Sequence, residues 1–204
     1  MYDVLSTTVL KFIKAEVQMQ RKHLWWSVNI LSGIFLAGCA PTIVNFDRFP
    51  DGSAVPAQTQ PVLQGTAVSS QSLISNQYAS KGVTFSSGAP AIFAASFSPD
   101  VPSAPNVACP LQTDGTAGYS DPTTIRIADS NICNVWATIT SSSGPTTMKA
   151  FNVSGNQIGP AVSSHGSAPS RPGVRETLHI NACDIDKVVL SGTNYCFDDL
   201  KFSR

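Results

Sequence analysis

Charge is scarce in this chain. Only 13% of its 204 residues are charged, the formal net charge is zero, and there are three histidines. No basic patch interleaved with aromatics exists, which argues against a nucleic-acid surface. No CxxC pair exists, and only His165 and His179 lie beyond the N-terminal region, so a zinc site is poorly provided for. No serine sits in a Gly-x-Ser-x-Gly elbow. After residue 40 no stretch keeps a capped 3.6-residue period, and there is no internal repeat or domain linker, which excludes bundles and solenoids. Apolar runs are short as well. The longest, Leu24–Gly38, falls below the ~20 residues that span a bilayer and is interrupted by Ser27, Asn29 and Ser32.

What that run does have is context. Arg21, Lys22 and His23 precede it and Leu36-Ala37-Gly38-Cys39 ends it. A basic flank, a short apolar segment and small residues before a cut are the layout of an export signal. The ending resembles the lipobox of bacterial lipoproteins, which implies that Cys39 receives a diacylglyceryl group and becomes the mature N-terminus. A retained membrane helix, or a plain secretory signal with an incidental cysteine, is the competing reading. Residues 1–38 are therefore a signal segment, with Met19 as an alternative start. Residues 39–42 are the lipidated cysteine and a short tether, and 43–204 a single domain. Ala40 and Pro41, rather than an aspartate, follow the cysteine. By the same resemblance this implies the outer membrane of a Gram-negative envelope. Two or three acyl chains hold a protein firmly where one is marginal.

The mature chain carries nine Lys/Arg and eleven Asp/Glu, a net charge of −2. Four cysteines remain in an oxidising compartment: Cys109, Cys133, Cys183 and Cys196. Two disulfides are expected. Three pairings are open, and the shorter loops favour Cys109–Cys133 with Cys183–Cys196.

Strand-like pieces separated by Gly, Pro, Ser and Asn recur at Ile43–Asp47, Lys81–Ser86, Ala91–Phe97, Thr123–Ala128, Val135–Thr140, Thr147–Val153, around Ile158, and at Glu176–Asn181, Lys187–Leu190 and Tyr195–Phe202. This spacing predicts an all-β sandwich. Ser98–Ser120 and Ser163–Gly173 read as long loops. Asp51-Gly52, Val153–Gln157 and Ser191–Asn194 read as turns. Asn152-Val153-Ser154 matches a glycosylation sequon that a bacterial lipoprotein would not normally use.

Five stretches carry a wider resemblance: Val44–Gly52, Asn76–Phe85, Met148–Asn156, Ile185–Gly192 and Cys196–Phe202. Together they resemble the galactose-binding-like jelly rolls of bacterial surface proteins and, more distantly, MAM domains. The resemblance implies a jelly-roll β-sandwich whose first and last strands adjoin. It also implies a structural Ca²⁺ held by Asp47 with Asp198 and Asp199. Strand alternation places Asp198 on the same face as Leu200 and Phe202, where a buried carboxylate needs a cation or several donors. Pairing with Arg48 or Arg126, or capping a turn, is the alternative.

Val135, Ala137 and Ile139 alternate with Asn134, Trp136 and Thr138, which turns Trp136 outward, the usual setting for stacking on a sugar ring. Tyr119, with Tyr78 and Tyr195, is expected to flank it. The competing reading buries Trp136 in the core or under a loop. Asp184, Asp186, Asp198 and Asp199 cluster in sequence, but alternation separates neighbours onto opposite faces, so a glycosidase pair is not expected. The expectation is a non-catalytic, membrane-anchored envelope protein binding carbohydrate or another surface ligand. The alternative is a structural or adhesive protein with a protein partner.

Overall fold

Period-two burial runs through most of the strands. Thr123–Ile127 reads buried, half-buried, buried, exposed, buried, and Thr146–Phe151 repeats nearly the same pattern. Such segments cover a core with one face only, so they assemble as two stacked sheets. The computed structural model describes residues 40–59, 63–89, 91–96, 105–141, 144–166 and 175–204. The signal segment and Cys39 lie outside the described residues, as does most of the Ser163–Gly173 loop. Residues Pro41–Arg204 form one compact unit.

Thirteen strands are described: β1 (Thr42–Val44), β2 (Gln58–Thr59), β3 (Leu73–Ile74), β4 (Val83–Ser86), β5 (Ile92–Ser96), β6 (Asn106–Pro110), β7 (Thr123–Ile127), β8 (Asn134–Ser141), β9 (Thr146–Phe151), β10 (Gln157–Ser163), β11 (Arg175–Asn181), β12 (Lys187–Gly192) and β13 (Tyr195–Ser203). The larger sheet runs β11-β8-β13-β6-β5-β2, with β1 on β13 and β3 on β5. The smaller runs β10-β9-β12-β7-β4. The chain crosses repeatedly from one sheet to the other, and all described pairings but β2–β5 are antiparallel. This is the all-β sandwich expected, wound as a jelly roll. As the resemblance implied, the first and last strands adjoin, with Val44 opposite Leu200.

The motifs behind the resemblance meet in the core. Phe46 makes edge contacts with Tyr78, Phe85 and Phe197, at centroid separations of 5.8, 5.7 and 5.5 Å. Each such pair contributes roughly 0.5–1.5 kcal/mol beyond simple burial. The Tyr78 hydroxyl donates to the carbonyls of Asn45 and Arg48 at 2.8 and 3.0 Å, which fixes the turn after β1. The three predicted turns form. Asp51 accepts from the Ser53 amide at 2.9 Å, Gly155 closes its turn at φ +80°, and Asn194 takes φ +51° before β13.

Two expectations fail. Ser98–Ser120 is not all loop, because β6 lies within it, and every residue of β6 is buried. A strand buried on both faces has no polar–apolar alternation to read. The cause is a second small core on the outer face of the larger sheet. There Phe93, Ala95, Val107, Cys109, Leu111, Ala117 and Cys196 pack together, partly covered by Val68, Leu73 and Tyr119.

The disulfides are also not the short-loop pair. They join Cys109 to Cys196 and Cys133 to Cys183, across 87 and 50 residues. Strand order explains this. Ala108 is paired with Phe197, so Cys109 and Cys196 face each other on adjacent strands. Cys133 and Cys183 flank the paired ends of β8 and β11, where the Ala182 amide donates to the Cys133 carbonyl. Loops of this length remove unfolded-state entropy worth roughly 4–5 kcal/mol each in the chain-entropy model. Peptide mapping of the unreduced protein is expected to recover these two links. Removing Cys133 and Cys183 together is expected to lower the melting temperature by several degrees and leave the Cys109–Cys196 link intact.

Candidate functional site

The outer face of the larger sheet has two halves. The half over β5, β6 and the start of β13 is roofed by the second core. The half over β11, β8 and the end of β13 stays open, with Thr177, His179 and Asn181 exposed and Asn134, Trp136 and Thr138 half-buried. Trp136 therefore faces outward, as alternation predicted, and is neither core nor fully covered.

Register arranges this open half in rows. His179 is opposite Trp136, Trp136 opposite Lys201, and Lys201 opposite Ile43 of β1. One row away stand Asn181, Asn134 and Ser203; on the other side stand Thr177 and Thr138. The imidazole of His179 lies parallel to the indole, with centroids 4.4 Å apart and planes within 6°. His179 Nε2 is 3.2 Å from Asn134 Oδ1, and the Thr138 and Thr177 hydroxyls are 3.2 Å apart. An aromatic ring framed by amides and hydroxyls presents both a stacking surface and donors and acceptors.

The tyrosines do not join this face. Tyr78 and Tyr195 have no exposure and belong to the main core. Burial pushes both phenols well above their ordinary value. The Tyr195 hydroxyl accepts from the Thr123 amide at 3.0 Å and lies within 3.0 Å of the Asp121 and Leu190 carbonyls and the Thr123 hydroxyl. Tyr119 packs edge-on against Phe93 in the roofed half, and its carbonyl accepts from the Tyr195 amide at the start of β13. Trp136 lies opposite Lys201 near the other end of that strand. At about 3.3 Å per residue the two are on the order of 15–20 Å apart. Tyr119 is thus not part of a surface around Trp136. Which strand a loop crosses is a matter of topology, and local alternation carries no sign of it.

Of the three acids singled out for Ca²⁺, Asp198 and Asp199 are neighbours on β13, and the charge of Asp199 is felt at Asp47. On its edge away from β8, β13 pairs first with β6 and then with β1. The change of partner coincides with a register shift between Asp198 and Lys201, and Asp199 there takes φ +46°. Asp198 lies opposite Thr138 and therefore points to the outer side of the sheet, not to the Leu200 and Phe202 side expected from unbroken alternation. The extra bulge residue inverts the parity. Asp198 nevertheless has no exposure and accepts from the Asp199 amide at 2.8 Å. Asp47 accepts from the Asn106 amide at 2.9 Å. Burial raises the Asp47 carboxyl above its ordinary value, the Asn106 hydrogen bond opposes this, and the charge of Asp199 adds to the rise. Carboxylate oxygens suit a hard cation such as Ca²⁺ in kind. Among the described residues, however, no three His, Cys, Asp or Glu side chains gather closely enough to hold a metal by themselves.

The remaining acids and histidine serve structure. Arg126, the partner considered for Asp198, instead lies 3.8 Å from Asp186. Asp184 is an exposed turn residue at φ +68°. His165 clips its loop to β11, donating its backbone amide to both Glu176 oxygens and placing Nδ1 3.0 Å from one of them. The four cysteines among the described residues are all in disulfides and so offer no thiolate.

No family model matches the chain, and no curated protein matches it. Among solved structures it is similar to a family 29 carbohydrate-binding module from Piromyces equi. The identity is 8% and the TM-score 0.39, over 81% of this chain and 92% of the module. It is also similar to the K1 cleaved adhesin domain of Lys-gingipain from Porphyromonas gingivalis W83. There the identity is again 8% and the TM-score 0.37, over 80% of this chain and 98% of that one. Both likenesses concern the fold.

The raised Asp47 carboxyl sets a pH dependence. In the fold its ionised form is disfavoured, so without metal Asp47 opposes folding at neutral pH. That penalty fades as pH falls through the raised value toward 3.8. Asp47→Asn keeps an oxygen to accept from Asn106. In metal-free buffer the variant is expected to melt above the wild type at neutral pH, with the gap closing as pH falls to about 4. An unchanged gap across that range contradicts the assignment.

Proposed function

We propose that this chain is a lipid-anchored, non-catalytic protein of the cell envelope whose sandwich binds carbohydrate on the open half of its larger sheet. The observation that carries the reading is the row His179–Trp136–Lys201, a half-buried indole on an outer sheet face between a row of amides and a row of hydroxyls. Large aromatics are mostly packed away in monomeric proteins, and one held at the surface in a polar field suits a ligand with an apolar face and a hydroxyl rim. The chemistry offered is recognition. No nucleophile with an adjacent base and no carboxylate pair is presented on this face.

The anchor rests on the lipobox-like Leu36–Cys39 and its basic flank. With Cys39 as the mature N-terminus, only Ala40 and Pro41 separate it from β1. Such a link reaches roughly 10 Å, so the domain would stand close to the membrane. Cys39→Ala is expected to leave the membrane fraction. If it still pellets with membranes, the lipid anchor is wrong.

A structural Ca²⁺ at Asp47, Asp198 and Asp199 belongs to the same reading. It would neutralise a carboxylate with no exposure beside two others, with backbone oxygens completing its ligands. Added Ca²⁺ is expected to raise the melting temperature of the wild type and leave Asp47→Asn unmoved. An equal response of the two removes the metal from the account.

The binding function is tested on a glycan array with Pro41–Arg204 in calcium-containing buffer. Reproducible binding that Trp136→Ala loses by tenfold or more, with an unchanged fold by circular dichroism, supports the reading. No binding across a broad array moves it to a protein partner in the envelope.

A further inference from the structure

The carbohydrate reading leaves the class of sugar open, and the neighbours of Trp136 narrow it. β8 lies between β11 and β13, and His179 reaches the indole from the β11 side, ring over ring at 4.4 Å. One π face of Trp136 is therefore taken. The other is turned toward β13, where the residue directly opposite is Lys201. A ring that stacks on the remaining face of the indole must lie over β13, within reach of the Lys201 ammonium.

Lys201 is unusual among the cations of this domain. Lys81 donates to the Ile43 carbonyl and Arg48 to that of Gly52. Arg126 pairs with Asp186, Arg204 with Asp129, and Lys187 lies over the Phe151 ring. Among the described residues Lys201, Arg175 and Lys149 have no such partner. Two of these three, Lys201 and Arg175, stand on the open half of the larger sheet, with Arg175 opposite Thr140.

The acids within β11 and β13 do not stand beside Lys201 on this face. Asp198, in the row next to Lys201, has no exposure. Asp199 sits in the left-handed bulge between Asp198 and Lys201 and acts electrostatically on Asp47. Glu176 is opposite Ile139, on the other side of the sheet, and bonds His165. A domain with a net charge of −2 thus presents a positively charged open face around its one surface tryptophan.

We infer that the ligand of this face is an acidic oligosaccharide, one bearing carboxylate or sulfate groups, whose anion is received by Lys201 beside the open face of Trp136. The inference rests on the carbohydrate reading and adds the charge class. An ammonium next to a stacking surface gives a charge-assisted hydrogen bond to an anionic sugar and only an ordinary one to a neutral sugar. Like charges withdrawn from the surface remove the repulsion that would otherwise reject such a ligand.

Trp25, Trp26 and Trp136 are the three tryptophans of the chain, so Trp136 is the only one in Pro41–Arg204 and its fluorescence reports this site alone. The probes are matched pairs: uronate or sulfated oligosaccharides and their methyl-esterified or desulfated counterparts. Titrated at low salt, the acidic member of each binding pair is expected to bind about tenfold tighter than its uncharged counterpart, a margin that shrinks with added salt. Lys201→Gln is expected to bring the ratio to within about twofold of unity while neutral sugars still bind. Lys149→Gln, on the other sheet, is expected to leave it unchanged. Equal binding of both members, or a preference that survives Lys201→Gln, overturns the charge assignment and leaves the carbohydrate reading standing. If no member of any pair binds, both fall together.

Discussion

Strand β13 is hydrogen-bonded along both edges, to β8 on one side and to β6 and then β1 on the other, and the rest of the molecule is arranged around that double pairing. Two partners share one edge, so β13 needs a place to change from one to the other. The bulge at Asp199, in a left-handed conformation that aspartate tolerates, marks that place. The gap between β6 and β1 admits the turn that follows β1. Phe46 enters the core there against Phe197, while Asp47 takes the Asn106 amide. The bulge also sets parity. Phe197 and Leu200 both point into the core although three positions separate them, and Asp198 is turned out with Thr138.

The same strand ties the two halves of the outer face together. Its start carries Cys196, linked to Cys109 beneath the second small core. Its end carries Lys201, beside Trp136 in the open half. Roofing one half stabilises the sheet by burying it on both faces, and it leaves the other half as an open surface of side chains held by paired strands. That open half is stiffened from both directions: β8 is paired along its length to β11 and β13, and the Cys133–Cys183 link closes its lower end. A recognition surface held on paired strands loses little freedom on binding.

Much of this was legible in the chain. Alternation in Thr123–Ile127, Val135–Thr140 and Glu176–Asn181 announced half-buried strands, and the outward direction of Trp136 followed from the same period. The turns at Asp51-Gly52 and Val153–Gln157 are legible in their residue types, and the side chains of Asp51 and of Asn152 just before the second accept from nearby backbone amides. What escaped depended on distant packing. Asn106–Pro110 looked like loop because a second core covers the side that would have been polar. The disulfides escaped because loop length says nothing of strand order. The face of Asp198 escapes the sequence because one bulge residue reverses the alternation before it. Residue type alone puts Tyr119 near Trp136, while its loop crosses the far half of the sheet. Three of the motifs behind the resemblance supply the core aromatics Phe46, Tyr78, Phe85 and Phe197, which bear on the fold and not on a ligand.

The central claim is that ligand is received on the open half of the larger sheet and nowhere else on the sandwich. Amide and indole chemical-shift mapping of Pro41–Arg204 during titration with a binding oligosaccharide tests it most directly. The account predicts shifts confined to β8, β11 and the end of β13, largest at the Trp136 indole N–H and around Lys201. Shifts clustered instead on the outer face of the smaller sheet, around Lys149, Phe151 and Lys187, would contradict it.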